Sequence, residues 1–317
     1  MTNDHDDFDG PTSPEEESPA QEQMARHETR TPAELFDGIR AEGGAEIEPV
    51  KLAANDSFKF SCHKGISCWN ACCRGADVTL TPFDILRLCR RLDTNPNKFL
   101  QQYTVPDIWE KAGLPVAKLA MGGDDGRGAC PFLDEETGCT VYEDRPATCR
   151  YYPLGLAAIK MKDGKDKDQF HFLVKETHCK GHEEAKNQTV SFFRQEQGVE
   201  EYDNLNQGWI DIMMKMVSWR SIGGPQGRDI SAQTKKMFFM VSTNVEMFRH
   251  FVFESKFLDT YEIAPEALEE LKTNDEALLL LGFDWMKNVM FNEPTISMKQ
   301  DVLRAGIAKT RSELGAG

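Results

Sequence analysis

Nowhere does the chain run to about 18 consecutive apolar residues, so nothing in it reads as a membrane-spanning helix. Its opening, MTNDHDDFDGPTSPEEESP, has no basic start, no apolar stretch and no small-residue cleavage site, so neither a secretory signal nor a transit peptide is expected. A cytoplasmic location follows, where cysteines serve metal or redox chemistry more often than disulfides. No basic patch interleaves with aromatics, which disfavours nucleic-acid binding. There is no repeat at solenoid periods. The Gly122-Gly123-Asp124-Asp125-Gly126 loop lacks the lysine and serine of a phosphate-binding loop. Cysteine is missing after residue 179, and the odd count of nine argues against a fully paired disulfide framework.

The charge of -15 is unevenly spread. Residues 1 to 50 hold fourteen Asp and Glu against three Arg, a net of -11, which leaves -4 for the other 267. We read residues 1–45 as an acidic, disordered tail, with a short helix or strap over PAELFDGIRAE, serving solubility or docking to a basic partner. Residues 46–185 read as a cysteine-cluster metal-binding domain and 186–317 as a helical region. The expected fold is α+β: a small cysteine-rich part with short helices and β-hairpins, then a mainly α-helical C-terminal part.

The stretch SCHKGISCWNACCRG places Cys62, Cys68, Cys72 and Cys73 within twelve residues. LTPFDILRLCRRLD follows with a complete helix start: Thr81 as N-cap, Pro82 in the first helical position and Asp84 three residues after the cap. Ile85, Leu88, Cys89 and Leu92 form its buried stripe, so Cys89 reads as a core residue. Asn95 and Pro96 start a second helix. Within CPFLDEETGCTVYEDRPATCRYYP, Cys130 and Cys139 are expected to face each other across a hairpin, and Cys149 to ride on a short helical turn after Pro146. A second hairpin, LAAIKM and QFHFLV, leads to Cys179.

Eight cysteines therefore fall on loops or element ends, where ligands belong. Thiolates are soft donors that favour zinc or iron–sulfur clusters. Thiol–disulfide chemistry and a merely structural role are the alternatives. Neighbouring side chains diverge, so Cys72 and Cys73 seldom reach one ion; either two centres are present or one of the pair has another job. No Cys-x2-Cys unit of a zinc knuckle occurs.

These pieces, Phe60 with Cys62, Cys68 and Cys72-Cys73, then LTPFDILRL, CPFL, GCTVYEDRPATCRYYP and Cys179-x-Gly181, resemble the YkgJ-type cysteine-cluster family of zinc- or iron-chelating CxxCxxCC proteins over about residues 58 to 185. The first segment departs from the family's usual spacing, with five and three intervening residues in place of two and two. The resemblance implies a cytoplasmic bacterial protein binding iron, as an iron–sulfur cluster of the 4Fe-4S kind, or zinc. It implies Cys62, Cys68, Cys72, Cys73, Cys130, Cys139, Cys149 and Cys179 as the ligands. It also relates the chain to the module of flagellin lysine N-methylases, which use S-adenosylmethionine. The chain has neither a Gly-rich strand-to-helix turn for that cosubstrate nor a radical Cys-x3-Cys-x2-Cys run, and whether it is an enzyme stays open.

Other groups have two readings each. His63, His178 and His182 flank cysteines and are ligands or plain loop residues, while His171 is expected to point outward from its strand. Arg145 and Arg150 either donate to thiolates or sulfides or pair with Glu143 and Asp144 at the surface. Tyr142, Tyr151 and Tyr152 are expected to pack over the site. Phe238, Val241, Val245, Phe248 and Val252 mark one long helix, followed by helices over EALEELKTNDEALLLLGFDWMKNVM and SMKQDVLRAGIAKTRSEL. That half, with its methionines and the Gly-rich loop SIGGPQGRD, is the expected surface for a protein partner or substrate, and a cosubstrate would lie between the halves. Three functions remain in view: a redox or group-transfer cluster protein, a methylase-like enzyme, and a zinc-binding structural or metal-trafficking protein.

Overall fold

A computed structural model describes residues 46–160, 167–223 and 229–313. The acidic tail, the turn of the second hairpin and most of the Gly-rich loop lie outside the described residues. The fold is α+β, with small antiparallel sheets in the first half and a mainly helical second half.

Strand β1 (Glu46–Leu52), which the sequence pattern did not announce, pairs with β9 (Lys167–Lys175), and β9 pairs with β8 (Leu154–Lys160) as the expected second hairpin. Strand β2 (Ser57–Lys59) pairs with β10 (Asn187–Thr189), so the chain that leaves towards the first cysteines is met by the chain returning from the last. Strand β3 (Thr79–Leu80) leads into α1 (Pro82–Arg91), which starts with the anticipated capping box: Thr81 Oγ1 accepts from Asp84 N at 3.2 Å, and Asp84 Oδ2 accepts from Thr81 N at 2.8 Å. Asn95 caps α2 (Pro96–Tyr103) through Lys98 N.

A hairpin that the sequence reading passed over follows, β4 (Thr104–Trp109) and β5 (Leu114–Leu119), in a sheet ordered β3-β5-β4. Pro106 is tolerated because β4 is the edge strand. The hairpin β6 (Leu133–Asp134) and β7 (Gly138–Cys139) and the short α3 (Ala147–Tyr151) complete the cysteine-bearing part.

The second half runs through α4 (Val190–Gln197), α5 (Val199–Ser221), α6 (Ala232–Thr243), α7 (Val245–Glu254), α8 (Phe257–Thr260), α9 (Pro265–Leu271), α10 (Asp275–Phe291) and α11 (Gln300–Glu313). The stripe from Phe238 to Val252 is buried as expected, but it belongs to two helices and not to one. Asn244 leaves helical geometry at φ -141°, ψ 81°, and its Oδ1 accepts from Met247 N to start α7. The largest core joins both halves: Phe83 and Leu86 of α1 and Leu114 and Val116 of β5 pack with Tyr202, Ile212, Met216, Phe248 and Phe283 from the helices. A cavity at this seam, lined by Pro82, Leu86, Pro96, Asn244 and Leu279 among others, measures about 10 Å³, room for about one water and not for a cosubstrate. Cys89 is a core residue, 5% exposed.

Candidate metal centre

Local structure explains why distant cysteines meet. Beyond the β2–β10 pair, Phe60 N donates to Lys186 O at 3.0 Å and Ser61 N to Gly181 O at 3.1 Å, which holds Cys62 beside the Cys179 loop. From that loop, Lys180 N donates to Cys68 Sγ at 3.1 Å. Asn70, in the left-handed region at φ 66°, opens the short 3-10 turn Ala71–Cys73. The carbonyl of Cys73 then accepts Cys130 N at 2.7 Å, next to a bridge between Arg74 and Ala129. Gly138, at φ 89°, lies under Trp69: a Cβ there would come 2.8 Å from the indole. The first cysteine segment is thus clamped to the second. Cys139 stands opposite Leu133 in the β6–β7 register, so Cys130 does not face it across the ladder as expected; it sits just before β6.

All nine cysteines are free. Cys62, Cys72 and Cys149 are reached by solvent, yet protein crowds each closely enough for desolvation to raise its pKa. That combination describes a recess. Burial pushes Cys62 up to about 11, with the Cys72, Cys68 and Cys179 thiolates adding to it and Arg145 opposing. Cys72 is raised most by its hydrogen bond with Cys73, then by burial. Burial raises Cys149, and Cys130, Cys72, Asp84 and Cys139 raise it further. Cys130, Cys139 and Cys179 are also raised by burial, opposed in each case by the backbone N–H two residues on: Phe132, Val141 and Gly181. Backbone N–H groups aimed at sulfur favour the thiolate. Cys72 acts on both neighbourhoods, Cys62 with Cys179 and Cys130 with Cys139 and Cys149.

The surroundings correct several expectations. Arg145 and Arg150 are buried, 8% and 7% exposed, and neither pairs with Glu143 or Asp144 through a carboxylate. Arg145 donates to Tyr142 O at 2.7 Å and to Gln197 Oε1, and lies over the Tyr142 ring at 4.0 Å. Arg150 donates to Arg145 O at 3.0 Å, Gln197 O at 2.8 Å and Glu143 O, and lies over the Tyr202 ring at 4.4 Å. Asp144 pairs instead with Arg87. His171 is half-buried against Arg194, not turned out to solvent, and desolvation lowers it to about 4. Tyr151 donates to Asp203, and Tyr142 is exposed. His63 and His178 lie against Glu184 and Glu176, each at 3.3 Å. His182 packs on Phe60 with ring centroids 5.3 Å apart.

Sequence reasoning missed two residues here. Asp84 is more than a helix cap: fully buried, its Oδ1 accepts Ala147 N at 2.8 Å and so starts the helix that carries Cys149. Gln197, at the end of α4, receives both arginines. The complete capping box was a signal for Asp84; nothing local marks Gln197.

Among the described residues, no three His, Cys, Asp or Glu side chains stand close enough about one point to hold a single ion. The donor set nevertheless suits a soft metal centre, since clustered thiols kept neutral by burial become thiolates together only when a cation displaces their protons. The Tyr152 hydroxyl is buried without a hydrogen-bond partner at standard geometry, and the group it favours as a thiolate is Cys179. Among the described residues no helix is long and apolar enough to cross a membrane. No curated protein and no solved structure was found to match the chain. Residues 61–180 match the CxxCxxCC family model, whose description is "Putative zinc- or iron-chelating domain". The matched segment contains all eight surface and loop cysteines, so it is this cysteine-bearing part of the chain that is similar to the CxxCxxCC family.

Proposed function

We propose that the chain holds iron as a thiolate-ligated iron–sulfur cluster, with Cys62, Cys68, Cys72, Cys73, Cys130, Cys139, Cys149 and Cys179 as the donors. One observation carries this reading: eight free cysteines, drawn from segments as far apart as residues 62 and 179, act on one another across a single recess without converging on one ion. A lone tetrathiolate ion, with Zn–S near 2.3 Å, draws its sulfurs to within about 4 Å of one another. A cluster interposes its own iron and sulfide and so takes sulfurs that stand further apart. Backbone N–H groups directed at Cys68, Cys130, Cys139 and Cys179 serve either kind of centre by stabilising thiolates and tuning potential. When bound, the cluster supplies a one-electron or Lewis-acid centre; the protein's part is to hold the thiolates and to place charge around it.

The test is anaerobic purification followed by iron, zinc and acid-labile sulfide analysis per chain, with the visible spectrum of the same sample. Iron and sulfide in near-equal amounts, with a broad absorption near roughly 400 nm, support the reading. Zinc without sulfide replaces the cluster by a zinc–thiolate centre. Neither metal in any amount removes the proposal.

A further inference from the structure

Among the described residues the buried charged side chains are Asp84, Arg145 and Arg150. All three surround the helix that carries Cys149: Asp84 caps it, Arg145 precedes it and Arg150 is part of it. Every hydrogen-bond acceptor of the two guanidiniums is neutral, namely the carbonyls of Tyr142, Glu143, Arg145 and Gln197 and the Gln197 amide. Asp84 lies within the field of Arg150 and is the countercharge of that residue. Arg145 has none among the buried carboxylates, and Arg150 repels it.

An unbalanced buried cation is costly, and folds retain one only where something supplies the opposite charge. Besides the Tyr142 phenol, the groups whose ionised forms Arg145 favours are Cys62, Cys139 and Cys149, which belong to both neighbourhoods of the recess. We infer that Arg145 is the built-in counter-ion of an anionic metal–thiolate centre: the bound complex carries net negative charge and Arg145 holds it by charge, while the bonds to Tyr142 and Gln197 only aim the guanidinium. The inference rests on the metal-binding reading above. It specifies that centre as one of anionic type, such as a tetrathiolate ion or an all-cysteine cluster, and excludes a neutral centre of mixed histidine and cysteine.

The experiment compares the metal-loaded full chain with Arg145→Gln and Arg145→Lys. Each is followed for metal release to excess chelator, and each is melted both loaded and stripped. Arg145→Gln is expected to release metal at least about tenfold faster, the scale of losses from groups supporting metal ligands, whereas Arg145→Lys stays close to wild type. Stripped of metal, Arg145→Gln melts no lower than wild type because it removes an unbalanced charge; loaded, it melts lower. This reversal of sign is not open to a residue that merely packs. Equal destabilisation in both states with wild-type release overturns the inference. So does fast release from Arg145→Lys, a result that stands even if Arg145→Gln fails to fold. Wild-type protein isolated without iron or zinc defeats the metal-binding reading itself, before any variant is made.

Discussion

Gly181 has no room for a side chain. A Cβ at this position would lie 2.5 Å from Phe60 Cε2 and 2.9 Å from Ser61 O, while its carbonyl accepts Ser61 N and its N–H serves Cys179. Gly181→Ala must push the Cys179 loop away from the Cys62 strand, at a cost of about 1–3 kcal/mol. The expected outcome is a folded protein with reduced metal per chain, read by elemental analysis beside a thermal melt; full metal content would show that the two segments need not touch. Asp84 offers a test through pH. Burial raises its pKa to about 6 from 3.8, so between these values the folded protein keeps a proton that the unfolded chain has released. Stability contributed by this group therefore falls as pH rises from about 4 to about 6 and is level above. Relative to Asp84→Asn, the wild type should lose at most about 3 kcal/mol across that window. Urea unfolding of both proteins at intervals across it decides the point, and a difference that is flat or rises with pH is the contrary result.

At the scale of elements, Asn244 separates α6 from α7 and ties them to α2: its Nδ2 donates to Asn97 Oδ1 at 2.7 Å while its Oδ1 caps α7. Asn244→Ala should cost about 1–2 kcal/mol through the cap alone. A lowered urea midpoint with unchanged metal per chain would check it, and an unchanged midpoint would mean that the break is set by packing. This break also shows what a linear pattern conveys. Phe238, Val241, Val245, Phe248 and Val252 were legible as a buried stripe, because burial follows periodicity whether or not the axis is continuous. The caps at Thr81 and Asn95 were legible because they are local. The β4–β5 hairpin was not, since Pro106 and Pro115 interrupt its alternation and its partner β3 is two residues long. The pattern of residues puts Cys130 opposite Cys139, whereas the ladder pairs Leu133 with Cys139, because register depends on the turn and Gly138 lies under Trp69 there. Arg145 and Arg150 invited pairing with Glu143 and Asp144, their sequence neighbours. The short helix α3 turns them inward, where Glu143 offers its carbonyl and Asp144 is taken by Arg87.

For the molecule as a whole, the division of cores sets what metal removal can do. The largest core, built from α1, β5 and the helices from α5 to α10, contains no cysteine. Cys130 and Cys139 pack at the margin of a second core around Leu80, Leu88, Phe99 and Val141, and Cys179 at the margin of a third around Phe58, Phe60 and Phe193. A small zinc-finger domain unfolds when stripped because its metal replaces a core. This chain keeps a separate apolar core, so excess chelator should leave most of its far-ultraviolet helical signal intact. The recess should loosen instead, because its cysteines lose the metal bonds that tie the segments around residues 62, 72, 130, 149 and 179 together. Limited proteolysis of the stripped protein is then expected to cut first within residues 61 to 75 and 122 to 140, and slowly within α5 or α10. Loss of helical signal in step with metal release would show that the centre is as necessary to the helical half as to the loops that hold it. Retention would mean that the fold can release and regain its metal, as delivery or sensing of a metal requires and a fixed structural site does not.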